Sequence, residues 1–195
     1  MVIKDNDIFE GERLYLKIPS LADETAVMDF RQEFIDNNSH FAGVNSLGDY
    51  DSYEEWLEYI EKNSNEETLL PNRCLDTQFL TFDKSTNRLV GMIDIRHYLN
   101  EYLAKYAGHI GDCIRPSERC KGYASEQIGI ALKICKLLGI DRVLITCDDD
   151  NIPSAKSIEK NGGVFENTVQ KEERVLRRYW IETKDLDTST FRKTI

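Results

Sequence analysis

A chain of 195 residues with 41% hydrophobic and 10% aromatic side chains can bury one ordinary core, and 31% charged residues fit a soluble surface. Lys and Arg number 25 against 35 Asp and Glu, a formal net charge of −10, which argues against a nucleic-acid partner because neutralising phosphates takes clustered cations. No apolar run approaches the roughly 20 residues that cross a bilayer, Met1 to Asp7 has no signal-peptide core, and five cysteines without C-x-x-C spacing argue against a disulfide framework or a zinc site, so a cytoplasmic protein without metal or membrane partner is expected.

From the N-terminus, Arg13 to Ile18 alternates as a half-buried strand does and stops at Pro19. Ser20-Leu21-Ala22-Asp23 has the Ser/Thr-x-x-Asp/Glu form of a helix start, and a helix to about Asn37 carries Leu21, Met28 and Ile35 on one stripe. Ser52 opens a second helix in the same way; Tyr53, Trp56, Leu57 and Ile60 fall on one apolar face, so Tyr53 and Trp56 read as core. Asn63 to Asn72 reads as loop. Gln78 to Phe82 and Leu89 to Ile95 flank the turn-like Lys84-Ser85-Thr86-Asn87, which predicts an antiparallel hairpin, and another strand is expected from about Ala107 to Ile114. From Ser125 onward Ile128, Ala131, Leu132 and Cys135 recur at helical spacing until Gly139.

Arg142 to Cys147 then reads as a buried strand, Ser154 to Lys160 as a short helix, and Val164-Phe165 and Tyr179-Trp180-Ile181 as parts of two final strands. Asp148-Asp149-Asp150 reads as a solvated loop that starts the short helix, and Arg174, Arg177 and Arg178 as surface charge. No repeat or linker divides the chain. One α/β domain with a mixed sheet is expected over residues 1–184, followed by a polar tail over 185–195.

The stretch richest in chemistry is Ile114 to Ala124, a strand that runs through a loop directly into an amphipathic helix. Free backbone N–H groups and the positive end of the helix dipole suit a phosphate or pyrophosphate there. Gly122 and Ala124 let the backbone come close to an anion, and Arg119 and Lys121 add charge. The run has neither the Walker spacing nor that of a dinucleotide turn.

Arg119-Cys120-Lys121-Gly122-Tyr123-Ala124 resembles the Gln/Arg-x-x-Gly-x-Gly/Ala motif of the GNAT N-acetyltransferase superfamily, and the element order is similar to that fold. Asn151-Ile152-Pro153-Ser154-Ala155 with Ile158 to Gly163 resembles the family's second signature, an Asn opening a short helix that ends in Lys-x-Gly-Phe. The likeness covers about residues 12–183, and Gly91 to His97 with Gly108 to Gly111 is similar to a bacterial subgroup of acetyltransferases. It implies a mixed, mostly antiparallel sheet whose central parallel strands splay apart near Ile114 and Cys147. Acetyl-CoA would lie in that gap, its pyrophosphate on the N–H groups of Arg119, Cys120, Lys121, Gly122, Tyr123, Ala124 and Ser125. Backbone at Asp112, Cys113 and Ile114 would pair with the pantetheine arm and face the thioester oxygen, while Asn151, Ser154 and Ser157 would contact the pantetheine or the acetyl end.

Acetyl transfer to an amine needs a base for the ammonium proton and a donor for the departing thiolate. Many relatives carry a Tyr acid where this chain has Ile158, which leaves the donor to the sulfur open between Ser154, Ser157 and water. For the base, His109 is the first candidate, since relatives that acetylate ribosomal-protein alanine carry Glu at that place and an ordinary His titrates near about 6.5. Asp112 is the second. Asp94, His97, Phe41 and Asn45 are candidate acceptor contacts. The function expected is acetyl transfer to a small amine or a peptide N-terminus, in a possible homodimer; the alternative is a non-catalytic acyl-CoA-binding sensor or partner-binding module, motivated by Ile158.

Overall fold

The computed structural model describes residues 3–4, 6–189 and 191–194. The hairpin expected around Lys84 to Asn87 forms β3 (Asp76–Asp83) and β4 (Leu89–Arg96), whose residues are buried almost end to end. Both of its faces are covered: Phe79 and Ile93 point into one core, Leu80 and Met92 into another, which is why neither strand alternates apolar with polar. Asp83 closes the hairpin, one carboxylate oxygen accepting from the N–H and hydroxyl of Ser85 (2.9 and 2.6 Å) and of Thr86 (both 3.0 Å).

Outward from this hairpin on one side lie β2 (Leu14–Lys17) and β1 (Asp7–Glu10); on the other lie β5 (Ile110–Ile114), β6 (Arg142–Asp148), β8 (Arg174–Glu182) and β7 (Val164–Lys171). All neighbours pair antiparallel except β5 with β6. The α/β class and the mostly antiparallel sheet with one parallel join match the reading of the sequence.

One face of the sheet carries α1 (Glu24–Asp36) and α2 (Tyr53–Asn63), the other α4 (Tyr123–Leu137) and α5 (Ile152–Lys160). The Ser52 hydroxyl accepts from the Glu55 N–H (3.3 Å), and Tyr53, Trp56, Leu57 and Ile60 are buried as the spacing predicts. The stripe expected on α1 is different: Leu21 is 67% and Ile35 45% exposed, while Val27, Phe30 and Phe34 face the core. Two aromatic rings bury more apolar area than the period-seven stripe, and they decide the phase of the helix.

Of the described strands and α-helices, β1, the short α3 (Glu101–Tyr106) and β9 (Arg192–Thr194), paired antiparallel with β1, have no counterpart in the predicted order. The strand expected from Ala107 starts only at Ile110. The segment 185–195, polar by composition, is a correction to the expected tail: the Phe191 ring is 4% exposed and lies 5.4 Å from that of Phe9, and β9 extends the sheet. Thr190 and Ile195 of that segment lie outside the described residues.

Candidate active site

β5 and β6 touch at one register pair, Ile110 with Ile145. The join is finished by His109. Its backbone N–H donates to the Leu144 carbonyl (2.7 Å), and the Leu144 N–H donates back to the His109 ring nitrogen Nδ1 (3.0 Å), so a side chain stands where a strand carbonyl would otherwise accept. Gly108 precedes it with φ +74°, and a Cβ there would sit 2.3 Å from the Leu144 oxygen. Beyond this vertex the strands part and open a cleft of about 690 Å³. Asp112, Cys113 and Ile114 line one wall, Cys147, Asn151 and Ser154 the other, and Arg119, Cys120 and Gly122 the outer end.

At that outer end the backbone forms an anion cradle. Cys120 and Gly122 both lie in the left-handed region (φ +63° and +81°), and Gly122 caps α4 without any side-chain cap. Among the described residues no backbone or side-chain acceptor takes the N–H groups of Cys120 to Ser125. A Cβ on Gly122 would find only Arg13 Nη2 within 4 Å, at 3.5 Å, so the approach is open. The cradle is held from behind: the Glu126 carboxylate accepts from the N–H of Arg13 (2.6 Å) and Leu14 (3.0 Å), Arg13 Nη1 donates to the Lys121 carbonyl (2.9 Å), and the Tyr123 hydroxyl donates to Asp83 (2.8 Å). Asn161 bridges to α5, its Nδ2 donating to the Ser125 carbonyl (2.9 Å) and the Ser157 carbonyl (2.8 Å).

A second cavity of about 690 Å³ opens beside the cleft and shares His40, Phe41, Gly43 and Arg96 with it. Its roof is the loop between α1 and α2. Trp56 Nε1 donates to the carbonyls of Val44 (3.0 Å) and Asn45 (3.2 Å), and Gln78 Nε2 to that of Gly43 (3.0 Å), which presses the loop onto β5. The fit leaves no room for a side chain at Gly43, where φ is +63° and a Cβ would fall 2.1 Å from the Gly111 oxygen.

Most of the residues expected at the site come together here. Asp112, Cys113, Ile114, Arg119, Cys120, Gly122, Tyr123, Ala124, Asn151, Ser154 and Ser157 line the cleft, with Phe41 on both cavities and Asp94 and Asn45 on the second. The Asn151 side chain caps α5, accepting from the Ser154 N–H (3.2 Å), and the Ser157 hydroxyl donates to the Pro153 carbonyl (2.9 Å). Lys121, expected among the charges of the cradle, instead reaches Glu118 (2.6 Å) and lines neither cavity. The Ser125 hydroxyl faces Asn161, leaving its N–H as its contribution. Asn45 turns its amide to Asp76 (3.2 Å) and Gln78 (3.1 Å).

The two histidines expected at the site, His97 and His109, lie outside both cavities, whereas His40 lines both. His97 holds Thr77 Oγ1 through Nε2 (2.8 Å) and is outside both cavities. His109 is buried, and burial together with the nearby Arg96 charge pushes its ring down to about 4. With Nδ1 accepting from Leu144, the proton of the neutral ring sits on Nε2, and no lone pair remains to take another. This arrangement speaks against the base role expected of it. Asp112 has the opposite character: burial and the Asp94 charge raise its carboxyl to about 7. Asp76 is likewise raised to about 7 by burial and Asp94. Ile158 is fully buried, so its position supplies neither a donor nor a lining atom. Burial raises the Cys147 thiol to about 11, which keeps it protonated at the inner wall.

Arg96, His40 and Gly111 also line the site without having been singled out from the sequence, beside Gly43, which lies within the expected contact segment 41–45, and Cys147, where one of the splayed strands was expected to end. For Arg96 a signal existed: it follows Asp94 by two residues on a strand and therefore shares its face. Among the described residues no group of three His, Cys, Asp or Glu side chains is placed to hold a metal ion, and no helix is long and apolar enough to cross a membrane.

The sequence profile of the Acetyltransferase (GNAT) domain matches residues 13–164. No curated protein matches the chain significantly. Among solved structures, a GNAT-family acetyltransferase from Bacillus anthracis is 24% identical and superimposes with a TM-score of 0.61 over 91% of this chain and 99% of its own. The ribosomal-protein-S5-alanine acetyltransferase of Vibrio fischeri is 17% identical, with a TM-score of 0.64 over 91% and 97%. RimJ of Mycobacterium smegmatis, solved in complex with CoA-disulfide, is 14% identical, with a TM-score of 0.69 over 93% and 90%.

Proposed function

The chain belongs to the GNAT acetyltransferase family, an acyl-CoA-dependent enzyme by that membership, and from this premise we propose that it acetylates a primary amine that enters through the cavity under the α1–α2 loop, with Asp112 taking the amine's proton. The observation that carries the reading is the row of N–H groups from Cys120 to Ser125, without acceptors among the described residues, at the mouth of a cleft made by splayed parallel strands. Bound acetyl-CoA supplies an acetyl group activated as a thioester. The chain's own residues bind and orient: the cradle and Arg119 hold the pyrophosphate, and the edge of β5 at Asp112 to Ile114 lies along the pantetheine arm.

An amine attacks only as the free base, so its proton must leave first. Asp112, with its carboxyl near 7, is matched to that step at neutral pH and lies in the cleft wall. At the sulfur end the Ser154 hydroxyl is the donor we assign to the departing thiolate, since Ile158 is buried and apolar. A small amine and a peptide N-terminus both fit the reading. A cytoplasmic location and a homodimer belong to it too: the charge of −10 suits a soluble enzyme, and the edge strand β7 leaves Val164 70% and Phe165 53% exposed.

The test is acetyl-CoA binding, followed by amine-dependent release of free thiol. Ligand at about 100 times its dissociation constant should stabilise the fold by about 2.7 kcal/mol. Gly122→Glu, which sets a carboxylate into the cradle, is expected to abolish that shift; an unchanged shift in the variant would remove the pyrophosphate assignment.

A further inference from the structure

In a chain of net charge −10 carboxylates are plentiful, and every arginine whose side chain is described contacts one, Arg73 and Arg119 apart. Both exceptions line a cavity. Arg119 faces the cofactor cleft, beside the cradle assigned above to a pyrophosphate. Arg73 lines the second cavity, and its place there is built. The turn from Leu70 to Arg73 closes with the Arg73 N–H donating to the Leu70 carbonyl (3.1 Å), and Asn72 takes the left-handed conformation at φ +64°. The guanidinium then lies over the Tyr59 ring, 5.4 Å from its centroid, and that ring packs 5.6 Å from Tyr50. A guanidinium seated on a ring still has its in-plane N–H donors to offer, in the fork that suits a planar carboxylate or a phosphate.

The other charges around the cavity leave Arg73 unmatched. Arg96 is committed, with Asp94 3.0 Å from its Nη2 and the Gly108 carbonyl accepting from its Nη1 (3.1 Å). Asp76 is buried and accepts from the Asn45 amide (3.2 Å), with no ion contact to Arg73. Asp49 lines the same cavity, exposed, and among the described residues it makes no ion contact with Arg73 either. The two cavities share His40, Phe41, Gly43 and Arg96, so an acceptor whose amine lies in the cofactor cleft can extend past them towards Arg73. We propose that Arg73 holds an anionic group of the acceptor, a carboxylate or a phosphate, so that the enzyme prefers amines that carry one over amines of the same length whose far end is neutral. The proposal rests on the acetyltransferase reading above and adds the part of the acceptor remote from the amine.

The rival role is structural, a guanidinium that only covers Tyr59 and softens the charge of Asp76. CoA-loaded protein titrated by calorimetry with matched amines separates the two. The probes are 4-aminobutyrate and 6-aminohexanoate, each against its neutral amide, O-phosphoethanolamine against ethanolamine, and the peptide amide Ala-Asp against Ala-Asn. The wild type is expected to take the anionic member of at least one pair about tenfold or more tighter, the worth of one charge-assisted hydrogen bond. Which pair responds tells a free amino acid from a phosphate or an acidic peptide. Arg73→Gln, at an exposed position where the change is compatible with folding, should bring that pair to near parity while CoA affinity is kept. Equal affinities in every pair, no binding of any amine, or a preference that survives Arg73→Gln would overturn the assignment. Failure of the wild type to bind CoA would overturn the cofactor cleft, and the proposal with it.

Discussion

At the residue scale, His109 and Asp112 stand in different surroundings. Both were candidates for the base. Only Asp112 lies in the cleft with a carboxyl near neutrality, while His109 spends its lone pair on Leu144. Asp112→Asn should therefore lower the rate of acetyl transfer by about 10² or more and remove the rise in rate through pH 7, read from a pH–rate profile. His109→Ala should keep that rise. It leaves the Leu144 N–H buried without its acceptor, so a loss of about 1–3 kcal/mol is expected in a denaturant melt. If the rise disappears with His109 and survives without Asp112, the roles are reversed. Gly43 makes a sharper case: Gly43→Ala sets a methyl on the Gly111 carbonyl in a conformation unfavourable to Ala, and should lift the loop from β5 and weaken acceptor and cofactor binding together.

At the scale of elements, the site is the meeting of pieces that are each anchored from behind. The buried Arg115 ties the end of β5 to α1 through Glu33 and Asp29 (2.6 Å to the latter), and Asp83 ties the β3–β4 turn to the start of α4. The far edge of the sheet depends on β9. Phe191 fills a place beside Phe9, Ala131's cluster and the underside of α4, so Phe191→Ala should cost about 3 kcal/mol and lower the melting temperature by roughly 6–12 °C without changing CoA affinity. An unchanged melting temperature would mean that the segment after Lys184 contributes nothing to the core. The hairpin, α2 and α4 were legible from the sequence because their signals are local: a turn between apolar runs, Ser52 before Tyr53, a periodic face up to Gly139. The phase of α1 and the existence of β9 were not, because each is set by partners far along the chain.

At the scale of the whole molecule, the carboxyl cluster has a consequence for stability. Burial raises Asp76, Asp94 and Asp112 above their ordinary range, so between about pH 4 and 7 the folded chain holds protons that the unfolded chain has lost, and stability falls as pH rises through that window. His97 and His109, both lowered, act in the opposite sense up to their ordinary value of about 6.5, above which they are neutral in both states. Urea melts are therefore expected to show a net loss of stability from pH 6.5 to 8, and Asp112→Asn should flatten it; a rise over that interval would show that the cluster is ionised at little expense. Asp83, held below the carboxylate range by its hydroxyl and amide donors, works only in acid and leaves this window untouched.

What the sequence by itself determined is what is local: the loop that runs into α4 from Arg119 to Ser125, the cap at Asn151, the hairpin and the family. These are written in contiguous residues, because a helix start, a turn and a short loop are each decided by the chain within a few positions of itself. The second cavity was decided only by the tertiary structure. Asp76 and Asp94 share a sheet face with Arg96 across the β3–β4 register, Asp112 pairs with Ile93 on the next strand and Gly43 comes from a loop, and nothing in their order along the chain places them side by side. Register places them, burial strips them of water and the Asp94 charge shifts the protons of its neighbours, while the same packing gives the His109 Nδ1 lone pair to Leu144 on a neighbouring strand.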